Sequence, residues 1–113
     1  MGISRPEKRA GILSKPAALK DIINYRIGSI VSRQMISGKS GNVTLFAFDK
    51  AERLSEHISA YNALVEIIEG EAQISVSGRN YRLKKGEALL MPSGKPHAVK
   101  AVKKFKMVLT LIK

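Results

Sequence analysis

Apolar and polar residues alternate along most of the chain after residue 25, with the period of two that places successive side chains on opposite faces of a strand. In the clearest example, Ala72, Ile74 and Val76 alternate with Gln73 and Ser75. Turn residues separate such segments at intervals of about 8–12 residues, which is typical of an all-β sandwich or barrel. A barrel or jelly roll also protects the strand edges of so small a domain.

The connections between these predicted strands are too short for crossovers, so we expect antiparallel neighbours. The segment 63–68 is almost entirely apolar, which indicates a strand buried on both faces. The predicted strands cover residues 30–36, 43–48, 63–68, 72–76, 81–84, 88–91, 97–102 and 105–112.

Residues 1–27 depart from this pattern and are predicted to form an N-terminal arm with a short helix, which leaves residues 28–113 for the barrel. Residues 1–15 are polar and basic with glycine and proline breakers, as in a loose arm. A helix is predicted over 16–24, because Leu19, Ile22 and Ile23 share one helical face.

Length, cysteine content and charge narrow the classes of function. A chain of 113 residues suits one domain, and the absence of cysteine excludes disulfides, zinc–thiolate sites and cysteine nucleophiles. No segment resembles a membrane span or a signal peptide, so we expect a cytoplasmic protein without a membrane partner. The net charge of +11 is spread from Arg5 to Lys113 without an accompanying row of aromatic residues. We interpret it as a solvated surface, and we expect no nucleic-acid partner, since nothing except the charge favours one.

A strand followed by a Pro/Gly turn leads into one of the two histidines of the chain. Gly86, Pro92, Gly94 and His97 match in register the motif G-x5-P-x-G-x2-H-x3-N, with Ala101 at the asparagine position. By this motif the chain resembles the cupin superfamily of small jelly-roll barrels. The fold class is therefore predicted to be all-β, a cupin-type antiparallel jelly-roll barrel with a short N-terminal helix or arm.

The other cupin motif, G-x5-H-x-H-x3,4-E-x6-G, is present only in part. His57 and Gly70 match it, whereas Ser59 stands at the second histidine position and Ala63 at the glutamate position. Ala51 replaces the leading glycine. The chain is thus most similar to small single-domain cupins with a degenerate first motif.

The resemblance implies a metal site, since typical cupins hold iron, manganese, nickel or zinc with three histidines and one glutamate. Here a divalent transition metal (Zn, Fe, Mn or Ni) would bind through His57 and His97 alone, and more weakly. Glu56 neighbours His57 and should point to the opposite face, and Glu66 is out of phase with the inward-facing residues, so neither supplies the carboxylate unless a bulge intervenes. A metal-free histidine pair stays equally open.

The predicted pocket for a small-molecule ligand includes Ser59, Tyr61 and Gln34. Ser59 is expected to be an inward hydroxyl near the barrel mouth, and Tyr61 lies in the following loop. The protein could be a metal enzyme, a metal-free enzyme with a histidine general base, similar to sugar-epimerising barrels, or a non-catalytic sensor or carrier. A homodimer is expected from the resemblance and from the apolar strand faces that need cover.

Overall fold

The computed structural model describes residues 4–6 and 15–113, and these form two facing, mostly antiparallel sheets around one main core. The strands are β1 (Ser4–Pro6), β2 (Ile30–Gly38), β3 (Gly41–Phe48), β4 (Arg53–Ile58), β5 (Asn62–Glu69), β6 (Glu71–Val76), β7 (Arg79–Lys84), β8 (Ala88–Met91), β9 (Pro96–Ala101) and β10 (Phe105–Ile112). One sheet has the order β1-β2-β3-β10-β5-β8, and the other has the order β4-β9-β6-β7. The predicted all-β jelly-roll barrel is confirmed.

All pairs among the predicted strands are antiparallel, as expected. Two further strands were not predicted. Residues 4–6, predicted as part of a loose arm, form the strand β1, which pairs in parallel with β2. The remainder of the predicted arm, residues 1–3 and 7–14, lies outside the described residues. The strand β4 was not among the predicted strands, because a bulge between Leu54 and His57 interrupts its alternation.

The core lies between the sheets and follows the alternating pattern. Ala72 and Ile74 are fully buried, as that pattern predicts, and Val76 packs against the same cluster. At the end of the barrel where β3 ends and β10 begins, the rings of Phe48 and Phe105 stack with centroids 4.5 Å apart. Aromatic packing thus fills this end of the barrel.

The predicted N-terminal helix is reduced to one 3₁₀ turn, Leu19–Asp21. Ala18 at its N-cap offers no side-chain hydrogen bond, and so short a segment is a marginal helix in isolation. Ile23 is instead fully buried on the outer face of the six-stranded sheet, in a second cluster with Val31, Leu45 and Ala47. The apolar spacing therefore reflects an irregular segment, residues 16–25, that packs on the sheet and that we call the strap.

A small polar network also fixes this strap. The Tyr25 hydroxyl donates to Glu69 Oε2 at 2.6 Å, and the buried Lys106 ammonium donates to the Lys20 carbonyl at 2.6 Å. Lys106 Nζ also lies 3.7 Å from Glu69 Oε2. Burial, followed by the hydrogen bond to Glu69, raises the pKa of Tyr25 above its usual range, so the phenol remains a donor.

The strap leaves part of the same outer face uncovered. One register row across five strands of this sheet contains Ile36, Val43, Thr110, Leu64 and Leu90, which we call the apolar stripe. Leu64 is 46% exposed and Leu90 is 57% exposed. The prediction that β5 is buried on both faces was therefore wrong, because no segment of the described chain covers the stripe.

Among the described residues, none of the helices has the length and apolar character needed to cross a membrane.

Candidate functional site

The bulge in β4 determines where His57 points. Leu54 pairs with Val99 and His57 pairs with His97, so three steps along β4 match two steps along β9. On a regular strand Leu54 and His57 would face opposite sides, because they are an odd number of residues apart. The extra residue in the bulge returns His57 to the face of the buried Leu54, which is the interior face of the barrel.

A tight turn positions His97 at the start of β9. Gly94 adopts a φ of +78°, as the third residue of a turn closed from Lys95 N–H to the Pro92 carbonyl at 3.4 Å. The Gly94 N–H donates to the Ser59 carbonyl at 2.8 Å, and the Ser93 N–H donates to Asn62 Oδ1 at 3.0 Å. These two bonds join turn 92–95 to loop 59–61, so both histidines lie at one end of the barrel, which we call the histidine end.

The two imidazole rings are direct cross-strand neighbours, with centroids 4.3 Å apart and planes inclined by 70°. His57 Nδ1 lies 2.8 Å from the Ser55 carbonyl, and His97 Nδ1 lies 3.2 Å from the Lys95 carbonyl. A carbonyl oxygen can only accept, so each Nδ1 carries a proton and each neutral ring keeps its lone pair on Nε2. The backbone thus leaves the Nε2 atom of each ring as an acceptor, on two rings that are in T-shaped contact.

The surroundings of the two rings differ. His97 is 4% exposed, whereas His57 is open to solvent. Burial lowers the pKa of His97, repulsion from His57 lowers it further, and the hydrogen bond to Lys95 acts in the opposite direction. His97 is therefore neutral at neutral pH and available as a ligand or as a proton acceptor.

No carboxylate among the residues that the structure describes completes a metal cage. Among the described residues, no group of three histidine, cysteine, aspartate or glutamate side chains converges on one point. Glu56 lines a groove on the outer surface of the four-stranded sheet, so the bulge turns it away from the interior. Glu66 is exposed on β5 between the buried Val65 and Ile67, in agreement with its predicted phase.

The predicted pocket residues occupy different places. Ser59 and Tyr61 lie in the loop at the histidine end, where the Ser59 hydroxyl accepts the Tyr61 backbone N–H at 3.0 Å. The Tyr61 ring carries the Lys113 ammonium 5.6 Å from its centroid. Gln34 lies on the six-stranded sheet, in a register row with Thr44. By alternation along β2, Gln34 faces the interior side of the six-stranded sheet. Its side chain is nevertheless exposed to solvent.

Two further residues share a register row with the histidines. Val76 pairs with His97 across β6 and with Arg79 across β7. Arg79 shares its strand face with the buried Leu83, so its cation lies on the interior side of the sheet at the histidine end. The sequence signal for Arg79 is the two-residue turn Ser77–Gly78, because a hairpin with this turn pairs Arg79 with Val76.

Two facing sheets with a histidine pair at one end define a small jelly-roll barrel. A family model described as a cupin domain matches residues 44–113. The chain belongs to this family, in agreement with its sequence motifs.

Solved structures agree with this assignment. The chain is 31% identical to a conserved protein of unknown function from Streptococcus pyogenes, with a TM-score of 0.85 and 88% of each chain covered. It is 26% identical to a cupin superfamily protein from Desulfitobacterium hafniense, with a TM-score of 0.83 and coverage of 87% of this chain and 90% of that one.

A third structure, a cupin conserved barrel domain protein from Leptotrichia buccalis, is 35% identical with a TM-score of 0.80. The alignment covers 83% of this chain and 46% of that one. Among proteins with curated descriptions, none matches the chain in sequence. These similarities establish the family and leave the ligand to be inferred from the site.

Proposed function

We propose that this protein binds a small molecule at the histidine end of the barrel, centred on His57 and His97, and that the pair holds a divalent transition metal weakly. The observation that carries the proposal is the anchoring of both Nδ1 atoms by backbone carbonyls, which leaves the Nε2 lone pairs free on two rings whose centroids are 4.3 Å apart. Metal-binding histidines are commonly oriented in this way.

The two imidazole nitrogens are donor atoms of the type that a divalent transition metal prefers. Imidazole nitrogen is a good ligand for zinc, iron, manganese and nickel, and His57 and His97 would hold the ion. The ligand positions at Ser59 and Ala63 are missing, so affinity should lie below that of a complete cage. A bound divalent ion would polarise an oxygen atom of the ligand. Arg79 at the same end would attract a negatively charged group.

The lowered pKa of His97 favours a second candidate, a metal-free site in which His97 is a general base. Its Nε2 is unprotonated at neutral pH, and its Nδ1 is fixed by Lys95. In that case His57 would bind or orient the ligand. Either chemistry uses the same pair, and a non-catalytic sensor or carrier would use it for binding alone.

Metal analysis of protein purified without a histidine tag tests the first candidate. We expect zinc or nickel to bind at one ion per chain in calorimetry, and His57→Gln or His97→Gln to weaken binding at least about tenfold. Ser59→Ala is the matched control, because it leaves both imidazoles in place. Equal affinity for all four proteins would contradict the metal site, and ligand binding would then have to be sought on the metal-free pair.

We also propose that the protein is a homodimer and that a second copy covers the apolar stripe. Leu64 and Leu90 lie on neighbouring strands of the stripe, and Ile36 is 67% exposed on its far side. A contiguous apolar sheet face of this kind is typical of an interface between protein chains.

A further inference from the structure

The outer face of the four-stranded sheet contains a groove that is separate from the histidine end. Its volume is about 510 Å³, and it crosses all four strands of that sheet. The lining consists of Arg53, Leu54, Ser55, Glu56, Gln73, Ser75, Asn80, Ala98, Val99 and Lys100. The bulge in β4 contributes to the groove, because it turns Ser55 and Glu56 outward while it turns His57 inward.

Short side chains produce the depression. Ala98 pairs with Ser75, and Ser75 pairs with Asn80, so one register row across β9, β6 and β7 carries only small or amide side chains. Ser55 continues this low floor on β4. The floor therefore presents hydroxyl and amide groups, which suit a ligand with several hydroxyl groups.

The adjacent row supplies positive charge. Arg53 and Lys100 are direct cross-strand partners, and Lys100 in turn pairs with Gln73. Within the described part of the chain, neither Arg53 nor Lys100 forms an ion pair, whereas the neighbouring Arg82 binds Glu71 at 2.9 Å. Two adjacent unpaired cations, one with a planar fork of donors, match the oxygens of a phosphate group.

We propose that this groove binds a phosphorylated sugar. Arg53 and Lys100 take the phosphate group, and the hydroxyl and amide side chains of the floor bind the sugar hydroxyls. Glu56 is the one carboxylate of the described lining and accepts from those hydroxyls as well. The lining keeps one net positive charge, since two cations oppose one carboxylate.

Titration with glucose-6-phosphate, followed by proton–nitrogen correlation spectra of the full chain, tests the proposal. Saturable shifts should appear at the amides of Ser55, Ser75 and Ala98. Glucose alone and inorganic phosphate alone should each bind more weakly than the phosphorylated sugar, because each engages only part of the groove. Equal affinity for inorganic phosphate and the phosphorylated sugar would overturn the proposal, since the floor would then contribute nothing.

Three variants separate the groove from general charge effects. Arg53→Gln should weaken binding at least about tenfold, as loss of a charge-assisted contact implies. Lys39→Gln removes the same charge from the β2–β3 turn of the six-stranded sheet, outside the lining of the groove, and should leave affinity unchanged. Ala98→Gln fills the floor without a change in charge and should weaken binding as much as Arg53→Gln does. Equal losses in Arg53→Gln and Lys39→Gln, or shifts confined to the histidine end, would refute the site.

Discussion

Two glycines with nearly the same backbone conformation allow one packing claim to be tested by itself. Gly70, between β5 and β6, has a φ of +79°, and Gly78, in the β6–β7 turn, has a φ of +80°. A Cβ at Gly70 would lie 2.1 Å from the Lys104 carbonyl oxygen and 2.8 Å from Phe105 Cα. A Cβ at Gly78 would meet nothing within 4 Å. The two substitutions to alanine thus share the backbone strain and differ in the clash.

The left-handed conformation costs an L-residue about 1–2 kcal/mol, which should be the whole effect of Gly78→Ala. Gly70→Ala should lose that amount and about 1–3 kcal/mol more, because the backbone at Lys104 and Phe105 must shift. Urea denaturation of both variants and the unaltered protein measures the free energy of unfolding. Equal losses within about 0.5 kcal/mol would refute the close approach of the segment before β10 to the β5–β6 turn.

The remaining predictions concern pH, the strap and assembly. In the folded, metal-free protein the pKa of His97 lies below its ordinary value of 6.5. As the pH falls through that value, the unfolded chain therefore takes up a proton at this group before the folded chain does. Stability should therefore fall as pH decreases through that value, by at most about 1.4 kcal/mol per pH unit for this group, and urea denaturation of His97→Gln should show a shallower dependence. Tyr25→Phe removes the hydrogen bond to Glu69 and should cost about 1 kcal/mol in the same assay; no loss would mean that this bond does not fix the strap. Leu64→Lys should convert a dimer to a monomer in analytical ultracentrifugation, and an unchanged mass would place any interface away from the apolar stripe.

Alternation and turn residues were sufficient to predict an all-β sandwich or barrel, because strands with one buried face leave a direct record in the sequence, and the cupin motifs narrowed this to a jelly roll. They failed where the backbone departs from regular pairing. The bulge at Ser55 and Glu56 changes which residues of β4 face inward, and single-strand periodicity cannot show an extra residue that exists only relative to β9. His57 was predicted as a site residue only because the family motif marks it, and that role stays a prediction.

The strap failed as a helix for a different reason. Its apolar spacing fits a helical face, yet Ile23 and its neighbours gain their burial from the outer face of the sheet without helical hydrogen bonds. Arg79 was missed because its place beside the histidines depends on pairing across two strands. Contacts that arise from register between strands are the part of this site that local sequence reasoning does not reach.

The central claim is that the backbone holds both histidines with Nδ1 protonated, so that two Nε2 lone pairs are offered to one metal ion or ligand. Long-range proton–nitrogen NMR of the imidazole rings tests it directly, since the chain has only these two histidines. Where the rings are neutral we expect both as the Nδ1–H tautomer, with both Nε2 signals shifting together when zinc is added. A ring with its proton on Nε2, or a zinc response confined to one histidine, would contradict the account.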